Sequence, residues 1–258
     1  MESTICSFET WFSGISASLI ASFLVFAINF LFKLWENYLR NNKFKNIFGN
    51  LIDEKLNLVV PSLRFRSDVE QFLANNKTGN MSYPLINSSG NFIKLSKLIA
   101  FTDTVALKYI LDLSSKTLGN KSVIVTDSEL ENKLDISLVS FGGSSFYCTY
   151  VLDQSDNQYY KFDANSIISI EDPSTKFILD QTYDYGFIIK YKHPNFQNKT
   201  WIIIAGIGES GTRGASYFLY KNWKILASDF KNNCFGIVVR VNHGIDHSAI
   251  EVNRIIGA

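Results

Sequence analysis

Gly206-Ile207-Gly208-Glu209-Ser210-Gly211-Thr212 reads G-x-G-x-x-G between an apolar run, Trp201–Ala205, and a helical pattern over about 212–226. Glycines at that spacing let the backbone turn tightly. The free N–H groups of the helix start then face an anion, most naturally a phosphate. Ser210 or Thr212 can cap the helix. Three features count against a dinucleotide site. The motif stands near the end of the chain rather than on a first strand. Glu209 puts a negative charge in the loop. Asp229 has roughly the spacing of a ribose-binding acid, but precedes the next strand instead of ending it. The alternative is a plain glycine-rich turn from strand to helix.

A second loop has the same character. Ser140-Phe141-Gly142-Gly143-Ser144-Ser145 follows the apolar strand pattern Leu134–Ser140. Gly142 and Gly143 give room for a ligand or backbone approach, Ser144 and Ser145 offer hydroxyls, and Ser140 belongs to the same candidate ligand-binding set. The plainer reading is a turn with a serine helix cap. In a parallel sheet both loops lie beyond the carboxyl ends of strands, where open α/β folds form their crevice. Asp103, between Thr102 and Thr104, stands near the start of a helical segment. If that helix opens toward the same crevice, Asp103 suits a ribose, a base or a metal; otherwise it is a solvated acid favoured by the helix dipole. Pro61-Ser62 with Arg64 or Arg66 reaches the same edge.

Other chemistry is poorly represented. His243 and His247 are four apart, but Gly244 lies between them and no zincin glutamate accompanies them. The three cysteines, Cys6, Cys148 and Cys234, form neither a disulfide framework nor a zinc spacing. No G-x-S-x-G elbow is present. The pattern names no catalytic residue, no metal ligand and no certain cofactor, and leaves a nucleotide as the candidate ligand.

The elements that must position these loops follow from periodicity. Leu56–Val60 reads as a first strand stopped by Pro61, and residues 95–118 as an amphipathic helix with Val105, Ala106, Tyr109, Ile110 and Leu113 on one side. Residues 122–126 and 134–140 follow as strands. Two short strands come near Tyr159–Phe162 and Ile167–Ile170, then an alternating strand over 184–192, the run 201–205 and a last strand at 235–241 with an edge hairpin to 248–256. Strand, helix, strand with short joins predicts one α/β domain over 55–258: a Rossmann-like three-layer arrangement with a mainly parallel sheet and an antiparallel C-terminal edge.

Trp11–Phe32 is an uncharged run. At about 1.5 Å per residue it reaches about 33 Å, enough for a bilayer core of roughly 30 Å. Glu2 and Glu9 precede it, whereas Lys33, Arg40, Lys43 and Lys45 follow. The charge bias predicts a single-pass inner-membrane protein with residues 1–10 outside, a transmembrane helix at 11–32, a helical linker at 33–54 and the α/β domain in the cytoplasm. Lys plus Arg is 25 against 24 for Asp plus Glu, so general nucleic-acid binding is not expected.

In outline, the 11–32 run plus a Rossmann-like remainder with two glycine loops resembles bacterial membrane-anchored effectors of anti-phage defence. That resemblance implies a nucleotide-responsive sensor whose ligand drives homo-oligomerisation and disrupts the lipid bilayer. Two alternatives stay open: a membrane-anchored enzyme acting on a nucleotide or nucleoside-like molecule, with Asp103 or Glu209 as acid or base, and a non-catalytic interaction scaffold.

Overall fold

The computed structural model describes residues 2–49, 55–61, 101–118, 122–154 and 157–257. It divides into two compact units, Met1–Lys43 and Phe44–Ala258. The first is formed by helix α1 (Glu2–Phe48), whose last turn belongs to the second unit. The α1 side chains are described from Ser22 onward, and Phe23, Phe26, Leu31 and Trp35 among them are exposed.

The expected membrane span is corrected here. Among the described residues no helix is long and apolar enough to cross a membrane. The part of α1 whose side chains are described carries Lys33, Glu36, Arg40, Lys43 and Lys45, while those of 11–21 lie outside the described residues. The bilayer partner, the single-pass inner-membrane location and the homo-oligomer argued from that span fall with it. α1 is helical from Glu2.

The second unit is built on a seven-stranded sheet. Its strands are β1 (Leu56–Val60), β2 (Ser122–Thr126), β3 (Leu138–Phe141), β7 (Tyr183–Tyr191), β8 (Trp201–Gly206), β9 (Phe235–Asn242) and β10 (Ile245–Ile256), in the order β10-β9-β7-β8-β3-β1-β2. β2, β1, β3 and β8 run parallel. β8 with β7, β7 with β9 and β9 with β10 are antiparallel. A separate antiparallel sheet contains β4 (Tyr160–Asp163), β5 (Ser166–Ser169) and β6 (Lys176–Ile178). The remaining described helices are α2 (Phe101–Leu118), α3 (Phe146–Asp153) and α4 (Glu209–Phe230).

The mainly parallel Rossmann-like sheet is therefore corrected to a mixed one. Half of its pairings are antiparallel, and β7 sits inside the sheet between β8 and β9. Every residue of β7 from Gly186 to Tyr191 is buried. Such a run suits a central strand of either direction, because burial on both faces carries no sign of polarity.

Alternation along the strands builds two cores. Leu58, Val139, Ile188, Ile202, Ile204, Ile237 and Val239 face α2, α4 and the Phe44–Phe48 turn. Val59, Phe187, Ile189, Trp201, Ile203 and Val238 face α3 and the small sheet. Phe44 stacks on Phe48 at 4.3 Å and meets Trp223 edge-on. The α1 C-terminus is held further by Lys190 of β7, whose ammonium donates to the Asn46 carbonyl at 2.5 Å. A cation there complements the carbonyl end of the helix dipole. Burial draws the Lys190 ammonium down to about 8.

Candidate functional site

β1, β3 and β8 end side by side, and their following segments meet at one edge. Gly142 donates its N–H to the Ile204 carbonyl at 2.9 Å, which fastens the first glycine loop to β8. A Cβ on Gly143 would lie 4.0 Å from the Gly206 carbonyl oxygen, so the two glycine loops adjoin. A Cβ on Gly142 would lie 3.1 Å from each carboxylate oxygen of Asp103 and 3.3 Å from Pro61. The positive φ of Gly142, 81°, also favours glycine. Asp103, Gly142, Gly143 and Gly206 thus share one neighbourhood. Ser62, Arg64 and Arg66 lie outside the described residues.

Of the described helices after β1 and β3, α2 packs on one face of the sheet and α3 on the other. In open α/β folds such a divergence is where a ligand crevice forms, at the carboxyl ends of the strands. Asp103, at 6 % exposure, stands at its edge, and burial raises its carboxyl to about 6. It makes no hydrogen bond to another described residue.

The rest of the first loop is mostly committed. Ser140 Oγ lies 2.5 Å from Ser145 Oγ, and both side chains are buried. Ser145 occupies the α3 cap position without a side-chain cap. Instead the Asp127 carboxylate accepts the Phe146 N–H at 3.3 Å from across the β2 turn. Ser144 is exposed.

The second loop departs from an anion cradle for a definite reason. Gly208, the α4 cap residue, offers no side chain. Its N–H goes to Asp184 Oδ1 at 3.0 Å, and the Gly211 N–H goes to Asp184 Oδ2 at 2.7 Å. Asp184 is fully buried on β7. An internal carboxylate thus occupies the position that a phosphate would take at this helix start.

The glycines serve contact between backbones. A Cβ on Gly206 would come to 2.2 Å from the Thr212 nitrogen, and one on Gly211 to 2.3 Å from the Tyr185 carbonyl oxygen. Ser210 Oγ accepts the Gly244 N–H at 2.9 Å and so pins the β9–β10 turn. Thr212 is buried and Glu209 exposed. Asp229 pairs with Arg254 at 2.9 Å in the last turn of α4, a helix length away from the loop. The phosphate-binding reading of this motif is corrected on these grounds.

Asp184 and Asp127 were not legible as site residues, since a lone Asp in a strand or turn matches no motif. One signal existed for Asp184. It shares the parity of Ile188 in an alternating strand, so it must face the helix layer and needs donors there.

Beside Gly143, on the α3 side of the sheet, lies a cleft of about 740 Å³ between α3 and β4. Phe162 forms one wall, its ring 3.2 Å from the position of a Gly143 Cβ. Among the described residues no group of three or more His, Cys, Asp or Glu side chains is placed to hold a metal ion.

No protein-family model matches the chain, and no curated protein matches it. With no helix among the described residues able to cross a membrane and no match to support it, the resemblance to membrane-anchored anti-phage effectors is corrected, together with the membrane-tethered nucleotide sensor and the membrane-anchored enzyme.

Proposed function

We propose that the Phe44–Ala258 unit binds a small molecule at the crevice where β1 and β3 diverge, with Asp103 receiving a hydrogen-bond donor of the ligand. The observation that carries this reading is the Asp103 carboxyl itself. It is 6 % exposed, faces the side-chain-free Gly142 and is bonded to no other described residue. A buried carboxyl without partners is costly, so such a group is a strong indicator of a site. The ligand class that satisfies it carries hydroxyl or ammonium donors. Gly142 and Gly143 supply the clearance, Gly206 borders it, and exposed Ser144 and Glu209 stand on the adjoining loops.

The raised Asp103 pKa, about 6, favours a second reading in which the bound molecule is also transformed. A carboxyl titrating close to neutrality is suited to proton transfer.

The test is thermal unfolding of the full chain with a panel of neutral polyols and primary amines. A ligand at about 100 times its Kd adds about 2.7 kcal/mol. The expected result is a raised Tm for one chemical group, abolished in Asp103→Asn. No shift with any probe, or an equal shift in the variant, overturns the reading. Mass analysis of the incubated probe separates binding from turnover.

A further inference from the structure

The cleft between α3 and β4 has a polar lining whose hydrogen bonds are divided unevenly. Most of its polar atoms turn inward. Asn157 donates to the Leu152 and Tyr160 carbonyls and accepts the Tyr159 N–H. Gln154 donates to the Tyr150 carbonyl, and Thr149 to that of Ser145. These atoms build the α3 C-terminus and the entry to β4, and have little left for a ligand.

Two charged groups are different. Asp153, the last residue of α3, and Lys161 of β4 both line the cleft and are exposed. Neither forms an ion pair or hydrogen bond with another described residue, and no salt bridge joins them to each other. Leu152, Phe162 and Ile170 line the same cleft. An anionic group, a cationic group and apolar side chains in one cleft are complementary to a molecule bearing the opposite two charges and an apolar body. The size fits, because pockets for small ligands run from about 300 to 1,000 Å³.

We infer that this cleft binds a zwitterion of the α-amino-acid type with an apolar side chain, its ammonium toward Asp153 and its carboxylate toward Lys161. The side chain lies against Phe162. This site is separate from the Asp103 crevice, and the Gly142-Gly143 loop stands between them.

The experiment is isothermal titration of the full chain with L-phenylalanine and L-leucine, alongside phenethylamine and 3-phenylpropionate, which each lack one charge. Saturable binding of at least one amino acid is expected, with either single-charge analogue about tenfold weaker. Asp153→Asn lowers the zwitterion to the affinity of the carboxylate-only analogue, and Lys161→Gln to that of the amine. Both residues are exposed, so circular dichroism should show the fold intact in either variant. Binding that persists in Asp103→Asn and is weakened in Asp153→Asn and Lys161→Gln belongs to this cleft, whereas binding lost only in Asp103→Asn belongs to the crevice. The inference is overturned if neither amino acid saturates by about 10 mM, if both cleft variants bind as the parent does, or if Asp103→Asn alone abolishes binding.

Discussion

Asp184 Oδ2 accepts the Gly211 N–H at 2.7 Å, which ties the middle of a buried strand to the first turn of α4. With the Gly208 bond to Oδ1, one carboxylate does for this helix what a capping side chain or a bound anion does elsewhere. Asp184→Ala should therefore destabilise the protein by about 3 kcal/mol or more, since three backbone N–H bonds to its carboxylate, the third from Tyr185 at 2.7 Å, are lost in a dry environment. Urea unfolding measures this. The vacated notch should also accept an external anion, so sulfate should stabilise the variant more than the parent. Equal sulfate dependence would show that the notch collapses.

Glycines 211 and 244 should respond differently to alanine. At Gly211 a Cβ would press on the Tyr185 carbonyl at 2.3 Å, whereas at Gly244 nothing lies within 4 Å. Gly211→Ala is expected to cost at least about 3 kcal/mol, because strand or helix backbone has to move. Gly244→Ala meets only the strain of its positive φ, 73°, about 1 kcal/mol. Thermal denaturation of the two variants compares them directly.

Asp103 should make stability fall as pH rises. Its carboxyl goes from 3.8 in the open chain to about 6 when folded, owing to burial. Below 3.8 both states hold the proton and no penalty exists. Between those values the unfolded chain ionises first, and above 6 the folded state carries a buried charge. The loss amounts to about 3 kcal/mol. Asp103→Asn should remove that slope and be more stable than the parent at pH 8. An unchanged pH profile in chemical denaturation would place the titration elsewhere.

Lys190 should act in the alkaline range. Burial lowers its ammonium from 10.5 to about 8. A depressed value means that its contribution is complete above 10.5 and is lost as pH falls through 8, on the order of 3 kcal/mol. Lys190→Met should flatten stability between those limits. It also removes the bond to the Asn46 carbonyl, so exchange protection of the Phe44–Phe48 turn should drop.

Periodicity made most elements of the second unit legible. Leu56–Val60 and Ser122–Thr126 are strands where β-branched runs end in Pro61 or begin after Gly119-Asn120, and the aliphatic run at Trp201 is a central strand. The convergence of the Gly142 and Gly206 loops followed from two neighbouring strands ending together. Three things were hidden. Strand direction leaves no periodic trace, so β7 was readable as a strand but not as an antiparallel one. The G-x-G-x-x-G spacing reports backbone clearance, not what fills it, and Asp184 lies 24 residues before Gly208. The charges Lys33 to Lys45 were read as setting the orientation of the apolar run 11–32, but they share one helix with it, and among the described residues no helix is long and apolar enough to cross a membrane.

The neighbours of Trp201–Gly206 have a consequence for biogenesis. This short strand alone links Leu138–Phe141 to Tyr183–Tyr191, both earlier in the chain. Until Trp201–Gly206 docks, these two strands present unfinished edges with no shared backbone partner, an arrangement open to mispairing. Closure of the native sheet must then wait for Trp201–Gly206 to dock, and the interval before it does is where a chaperone would be needed most.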